Sequence, residues 1–171
     1  MVRYGAVDVA YPDAGGAVAA LVVASDRRYA TIESEHVVRL DRAAAYRPGH
    51  FYERELPAIR AVLAGRPPLD LLIIDSYVDL DPNGQPGLGA HVHHELGVPV
   101  IGVAKTRFRT ATHSVAVHRG TAARPLYVTA RGLALLDAAE LVTEMAGPHR
   151  LPDALRRVDA AARAGSRAGD D

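Results

Sequence analysis

The run Leu69-Asp70-Leu71-Leu72-Ile73-Ile74-Asp75 reads as a strand buried on both faces and closed by an acid. A second such run covers residues 98–104, and residues 88–96 between them have the pattern of a helix. Buried strands alternating with a helix imply a parallel crossover, so the centre of the molecule is α/β. Upstream, residues 48–63 carry Phe51, Leu56, Ile59 and Leu63 at close to helical spacing, with Pro57 predicting a kink or a break. Before that helix, residues 4–11, 17–24 and 29–39 read as strands. Short turns at 12–16 and 25–28 make them antiparallel hairpins. Downstream, short strands are expected at 115–118 and 125–129, and helices at 133–145 and 152–163. The fold class is therefore α/β, a mixed central sheet flanked by helices. One domain is expected over residues 1–164, with a flexible tail over 165–171.

The chain has 171 residues, 49% of them hydrophobic and 23% charged. It can bury a core and is not disordered throughout. Cysteine is absent, which excludes disulfides, Cys-ligated zinc and a thiol nucleophile. Twenty basic residues balance twenty acidic ones. A nucleic-acid partner would thus be held by local patches and not by a global field. The apolar runs fall short of a membrane span, and Met1-Val2-Arg3-Tyr4-Gly5 does not start a signal peptide. The expectation is a cytoplasmic protein with no membrane partner.

Two acids stand out by their neighbours. Asp8 lies within Gly5-Ala6-Val7-Asp8-Val9-Ala10-Tyr11, and Asp75 ends its apolar run. An ionised carboxylate beside buried strand residues is costly unless it is paired or binds a cation. The carboxyl end of a strand is also where open α/β sheets place ligands. Taken singly, Asp75 reads equally well as a loop or capping acid, and Asp8 as a solvent-facing one. Glu53 and Glu55 are equivalent on composition alone, and Asp159 reads as the solvated face of a terminal helix. A cluster of such oxygens suits Mg²⁺ or Mn²⁺. In phosphodiester hydrolysis a divalent ion lowers the pKa of water and neutralises the leaving oxygen. That chemistry needs no cysteine and no serine nucleophile.

These stretches resemble the endonuclease V family. Gly87-Leu88-Gly89-Ala90-His91, leading on to Gly97-Val98-Pro99-Val100-Ile101-Gly102-Val103-Ala104-Lys105, is similar to that family's glycine-rich helix and its lysine-ended strand. Leu71-Leu72-Ile73-Ile74-Asp75 and Val7-Asp8-Val9-Ala10-Tyr11 resemble its two aspartate strands. Tyr46-Arg47-Pro48-Gly49 with Arg54-Glu55 resembles its wedge and arginine–glutamate pair. Arg150-Leu151-Pro152-Asp153, with Asp159 beyond, resembles its C-terminal helix. The matches keep their order from residue 5 to about residue 160.

The resemblance implies a ribonuclease H-like fold. It implies a Mg²⁺- or Mn²⁺-dependent endonuclease that cuts a strand of DNA or RNA near deoxyinosine or inosine, leaving a 3′-hydroxyl, in DNA repair. It selects Glu55 over Glu53 and implies that Asp8, Glu55 and Asp75 bind the metal, with Lys105 on the phosphate. Asp159 and His91 would be accessory, and Tyr46, Pro48 and Gly49 would contact the substrate beside the lesion. A monomer is expected. The alternatives are a non-catalytic nucleic-acid-binding module and a nuclease with another lesion or structure preference. The loops depart from the family pattern. Ser76-Tyr77-Val78 stands for glycine–histidine–glycine, Asp81-Pro82 for histidine–proline, and residues 128–132 for a serine–proline–glycine–histidine run.

Three further signals have bland readings. Asp79-Leu80-Asp81-Pro82-Asn83-Gly84 begins like a calcium loop, but Ala90 occupies the twelfth position where glutamate belongs. His91, His93 and His94 lack a third zinc ligand at fitting spacing. Lys105-Thr106-Arg107-Phe108-Arg109 and the group Arg150, Arg156, Arg157 and Arg163 form two basic patches. Either could track phosphates or be a solvated face.

Overall fold

Strand β1 (Tyr4–Ala10) lies between two differently built halves of one sheet. On one side it pairs antiparallel with β2 (Ala17–Ala24), which pairs antiparallel with β3 (Ile32–Leu40). On the other side β4 (Leu71–Ile74) and β5 (Val100–Ala104) run parallel to it. β6 (Val115–Val117) and β7 (Leu126–Arg131) complete the seven strands in the order β3-β2-β1-β4-β5-β7-β6, with β7 antiparallel to both β5 and β6. The computed structural model describes residues 1–48 and 50–168. The architecture is the mixed, ribonuclease H-like α/β sheet expected.

Helices cover both faces. α1 (Phe51–Leu63) and α2 (Leu88–Leu96) lie on one, α3 (Leu135–Glu144) and α4 (Asp153–Arg167) on the other. Side chains alternate between the two layers, as strand geometry requires. Ala6, Ile73, Ile101 and Val103 pack with α3 and α4, while Val7, Leu72, Ile74 and Val100 pack with α1 and α2. Burial on both sides is why β4 and β5 read as unbroken apolar runs. Among the described residues, no helix is long and apolar enough to cross a membrane.

Three expectations are corrected. Pro57 neither breaks the chain nor ends the helix: α1 runs through it. Leu56, Ala58, Ile59 and Val62 are buried around it, and that packing outweighs the lost backbone hydrogen bond. The third strand begins at Ile32, not at Tyr29. Tyr29 takes φ 55° and turns its ring into the core, where its hydroxyl donates to the Gly5 carbonyl at 2.8 Å. The Asp26 carboxylate stabilises that turn by accepting from the amides of Arg28, Ala30 and Thr31. The last helix continues to Arg167, so residues 165–167 are helical although they were expected in the tail. Arg39 of β3 donates to the Gly165 carbonyl and holds that end against the sheet. Residues 169–171 of the expected tail lie outside the described residues.

Candidate active site

β1 and β4 run side by side in the same direction, with Val7 opposite Ile74. The next residues along are Asp8 and Asp75, so the parallel register sets the two acids abreast. Alternation from Ala6 and Ile73 turns both toward the layer that holds α4. The same alternation along β5, through Ile101 and Val103, turns Lys105 to that side. Its Nζ lies 3.0 Å from Asp75 Oδ2. α4 brings Asp159, whose Oδ1 accepts from Arg163 Nε at 3.0 Å. All of this happens at the carboxyl ends of the parallel strands, where the sheet leaves its backbone open to a ligand.

Close approach of backbone makes the loop beyond Asp75 possible. A Cβ on Gly102 would stand 2.4 Å from the Ser76 carbonyl oxygen, and one on Gly89 2.7 Å from a Val78 methyl. Bare Cα atoms there let β5 and α2 press on residues 76–78. The Val78 amide then donates to Thr129 Oγ1 at 2.8 Å, tying the loop to β7.

The electrostatics show which acids share the pocket. Burial, then the charge of Asp75, then hydrogen bonding to Asp159 push Asp8 up to about 8, although the Val9 amide donates to its Oδ1 and pulls the other way. Burial and then Asp75 push Glu55 up to about 7. Glu53 instead faces outward, within 3.2 Å of Arg47 and 3.3 Å of His50. Burial alone would draw Lys105 down, but hydrogen bonding to Asp75 and the charges of Asp75, Asp159 and Asp8 hold it above the usual lysine value. Asp8, Glu55, Asp75, Asp159 and Lys105 therefore form one interacting group.

The donor set is hard oxygen, mutually repelling and partly desolvated, which suits a divalent cation in kind. Among the described residues, no three His, Asp or Glu side chains form a ready-made metal cage. One Asp75 oxygen is already paired with Lys105.

The remaining expected residues are placed less closely. His91 stacks on Tyr52, with ring centroids 3.7 Å apart and planes 23° from parallel. Burial lowers its pKa, and the charges acting on it are those of Glu95, His94 and Arg131, none of them in the carboxylate group. Tyr46 and Pro48 are exposed in the segment that leaves β3 for α1. Gly49 lies outside the described residues. Asp79 pairs with Arg131 at 2.6 Å, and Asp81 accepts from the amides of Asn83 and Gln85. The calcium-like loop is thus turned by its own Asp81 and tied to β7 through Asp79, with the turns expected of it. His93 bonds the Val98 carbonyl.

Two residues at the site were not singled out from the sequence for a role of their own. The Arg54 guanidinium lies 3.7 Å above the Tyr11 ring. Burial and then the charge of Glu55 raise the Tyr11 phenol, and Tyr11 Oη and Arg54 Nε are buried with no hydrogen-bond partner among the described residues. Only adjacency to Glu55 marked Arg54 in the sequence.

Residues 2–127 match the family description endonuclease V. Endonuclease V of Azotobacter vinelandii is 31% identical over 175 residues, spanning 90% of this chain and 78% of that protein. Endonuclease V of Thermococcus kodakarensis is 32% identical over 155 residues, spanning 91% and 75%. The crystal structure of endonuclease V from Streptomyces avermitilis has a TM-score of 0.84 at 25% identity, covering 100% of this chain and 84% of that one. Endonuclease V of Ciona intestinalis, in complex with a 23mer DNA containing an inosine followed by a ribo-adenosine, has a TM-score of 0.82 at 17% identity, covering 96% and 85%. Sequence likeness over most of the chain, on a fold shared almost end to end, makes this protein a member of the endonuclease V family.

Proposed function

We propose that the protein is a divalent-metal-dependent endonuclease that hydrolyses a phosphodiester bond close to inosine or deoxyinosine in a nucleic-acid strand, in repair of deaminated bases. One observation carries this: Asp75, at the end of β4, acts on both the partly buried Asp8 of β1 and the partly buried Glu55 of α1 and pairs with Lys105 at 3.0 Å. The bound inosine in the Ciona intestinalis relative supports the substrate class.

In this reading Asp8, Glu55 and Asp75 hold Mg²⁺ or Mn²⁺. The ion would supply a more acidic water and charge neutralisation at the leaving oxygen. Lys105 sets its ammonium against a phosphate oxygen as negative charge grows there. Asp159 holds Asp8 through the contact between their carboxyls, and Arg163 holds Asp159. Tyr46, Pro48 and Gly49 meet the strand beside the modified base, where an aromatic side chain can fill the gap left by an extruded nucleotide. His91 supports α1 through its stack on Tyr52. In this reading the protein acts as a monomer.

The test compares wild type with Asp75→Ala on matched DNA and RNA strands, with and without inosine, in Mg²⁺. Wild type is expected to cut the inosine strands. The variant should be slower by about a hundredfold or more, the scale of losing a group that stabilises transition-state charge. Equal cutting by both proteins would remove the mechanism. Equal cutting of unmodified strands would remove the inosine preference.

A further inference from the structure

Arg150 of the second basic patch meets Lys105 and Arg107 of the first in space. Lys105, Arg107, Arg124, Tyr127 and Arg150 line one pocket of about 240 Å³. Arg107, Pro125 and Tyr127 continue into a second of about 280 Å³, bordered by Ala116 of β6. Together they make a groove that starts at the catalytic lysine and runs along β7 toward the β6 edge. Tyr46 lies on the segment that leaves β3, which is the sheet edge opposite β6.

The groove is built, and beyond the Lys105–Asp75 pair its positive side chains meet no acid among the described residues. Arg150 Nη2 donates to the carbonyls of Lys105 and Pro125, bracing the chain after β5 against the turn before β7. Arg150 Nε is buried without a partner among the described residues. Arg107 and Arg124 are exposed. Among the described residues neither takes part in an ion pair, and the two stand together on the wall of one pocket. In a chain of zero net charge, these two guanidinium groups without an acid partner repel one another and gain nothing from an ion pair. They gain from a polyanion. Tyr127 is half-buried and adds a flat ring to the wall.

We propose that this groove seats the substrate strand on the side of the scissile phosphate away from Tyr46, with Arg107 and Arg124 on successive backbone phosphates and Tyr127 against a sugar or base. The proposal rests on the nuclease reading and names the path of the strand through that site. It makes the protein sensitive to how far the strand extends on one flank of the cut.

The experiment measures equilibrium binding of inosine-containing and unmodified strands as salt is varied, for wild type, Arg107→Ala, Arg124→Ala and the double variant. Both side chains are exposed, so their loss leaves the fold intact. Each substitution is expected to lower the log–log salt slope by about 0.7–0.9, the value of one phosphate contact. Shortening the strand by a few nucleotides on one flank should weaken wild type and leave the double variant unchanged. Unaltered slopes, or an equal penalty from shortening in both proteins, would overturn the groove. Intact inosine cleavage with unaltered slopes would keep the nuclease and discard the groove. Lowered slopes on unmodified strands without any inosine cleavage would keep the groove and discard the nuclease.

Discussion

Lys105 Nζ is 3.0 Å from Asp75 Oδ2, and Asp159 and Asp8 also act on its charge. Desolvation works against that charge, and the carboxylates more than reverse it. A lysine held protonated at every working pH is fitted to a phosphate that gains charge in the transition state. Lys105→Ala is expected to slow single-turnover cleavage by about 10²–10³-fold. A change confined to affinity would reduce Lys105 to a binding residue. Asp8 and Asp75 were legible in the sequence because one interrupts an apolar strand and the other ends one, where a free carboxylate is costly. Glu55 was not separable from Glu53 by composition. The difference is one of helix face, since Glu53 meets Arg47 and His50 outside while Glu55 turns into the pocket. The Arg54–Tyr11 stack joins α1 to the end of β1, and no local pattern encodes such a contact.

At the scale of elements, α1 shows where local rules yield to packing. Pro57 is exposed and sits seven residues into the helix, too far in for its missing amide to be one of the helix's free first-turn donors. The cost of an interior proline, about 3 kcal/mol, is borne because the neighbouring Leu56, Ile59 and Val62 are buried in the core. Replacing it frees the unfolded chain, which takes back about 0.4–1 kcal/mol. Pro57→Ala is therefore expected to stabilise the protein by roughly 2 kcal/mol, the difference of those two effects. Urea unfolding with an unchanged slope checks it, and a neutral or destabilising result would show that the proline shapes α1 for the pocket. The buried strands β4 and β5 were plain from their apolar runs. The start of β3 was not, because the sequence around Tyr29 continues the strand pattern, and only the side-chain-capped turn at Asp26 shows the chain turning inward.

Across the whole molecule, zero net charge hides a strongly uneven surface. Arg150 is remote from Lys105 and Arg107 along the chain and shares a wall with them only after the link between α3 and α4 folds back onto the end of β5. The carboxylate group gives that unevenness a thermodynamic consequence. Asp8 moves from 3.8 to about 8 and Glu55 from 4.5 to about 7 on folding. The native state thus keeps protons that the unfolded chain releases near pH 4. Their stabilising contribution is complete below that pH and is lost as pH rises through about 7 to 8. With EDTA present, Tm is expected to fall between pH 5 and 9 by way of these two groups. A divalent ion needs the ionised forms and competes with the same protons, so it stabilises more as pH rises. Bound at the proposed site at a hundred times its Kd, Mg²⁺ would contribute about 2.7 kcal/mol, or roughly 5–10 °C in Tm for a chain of this length. Thermal unfolding with Mg²⁺ or EDTA at pH 6 and pH 8.5 checks both effects. The Mg²⁺ shift should be larger at pH 8.5, and Asp8→Asn should flatten the EDTA profile and abolish most of that shift. An equal shift at both pH values, or one that survives in Asp8→Asn and Glu55→Gln alike, would remove these carboxylates as the ion's ligands.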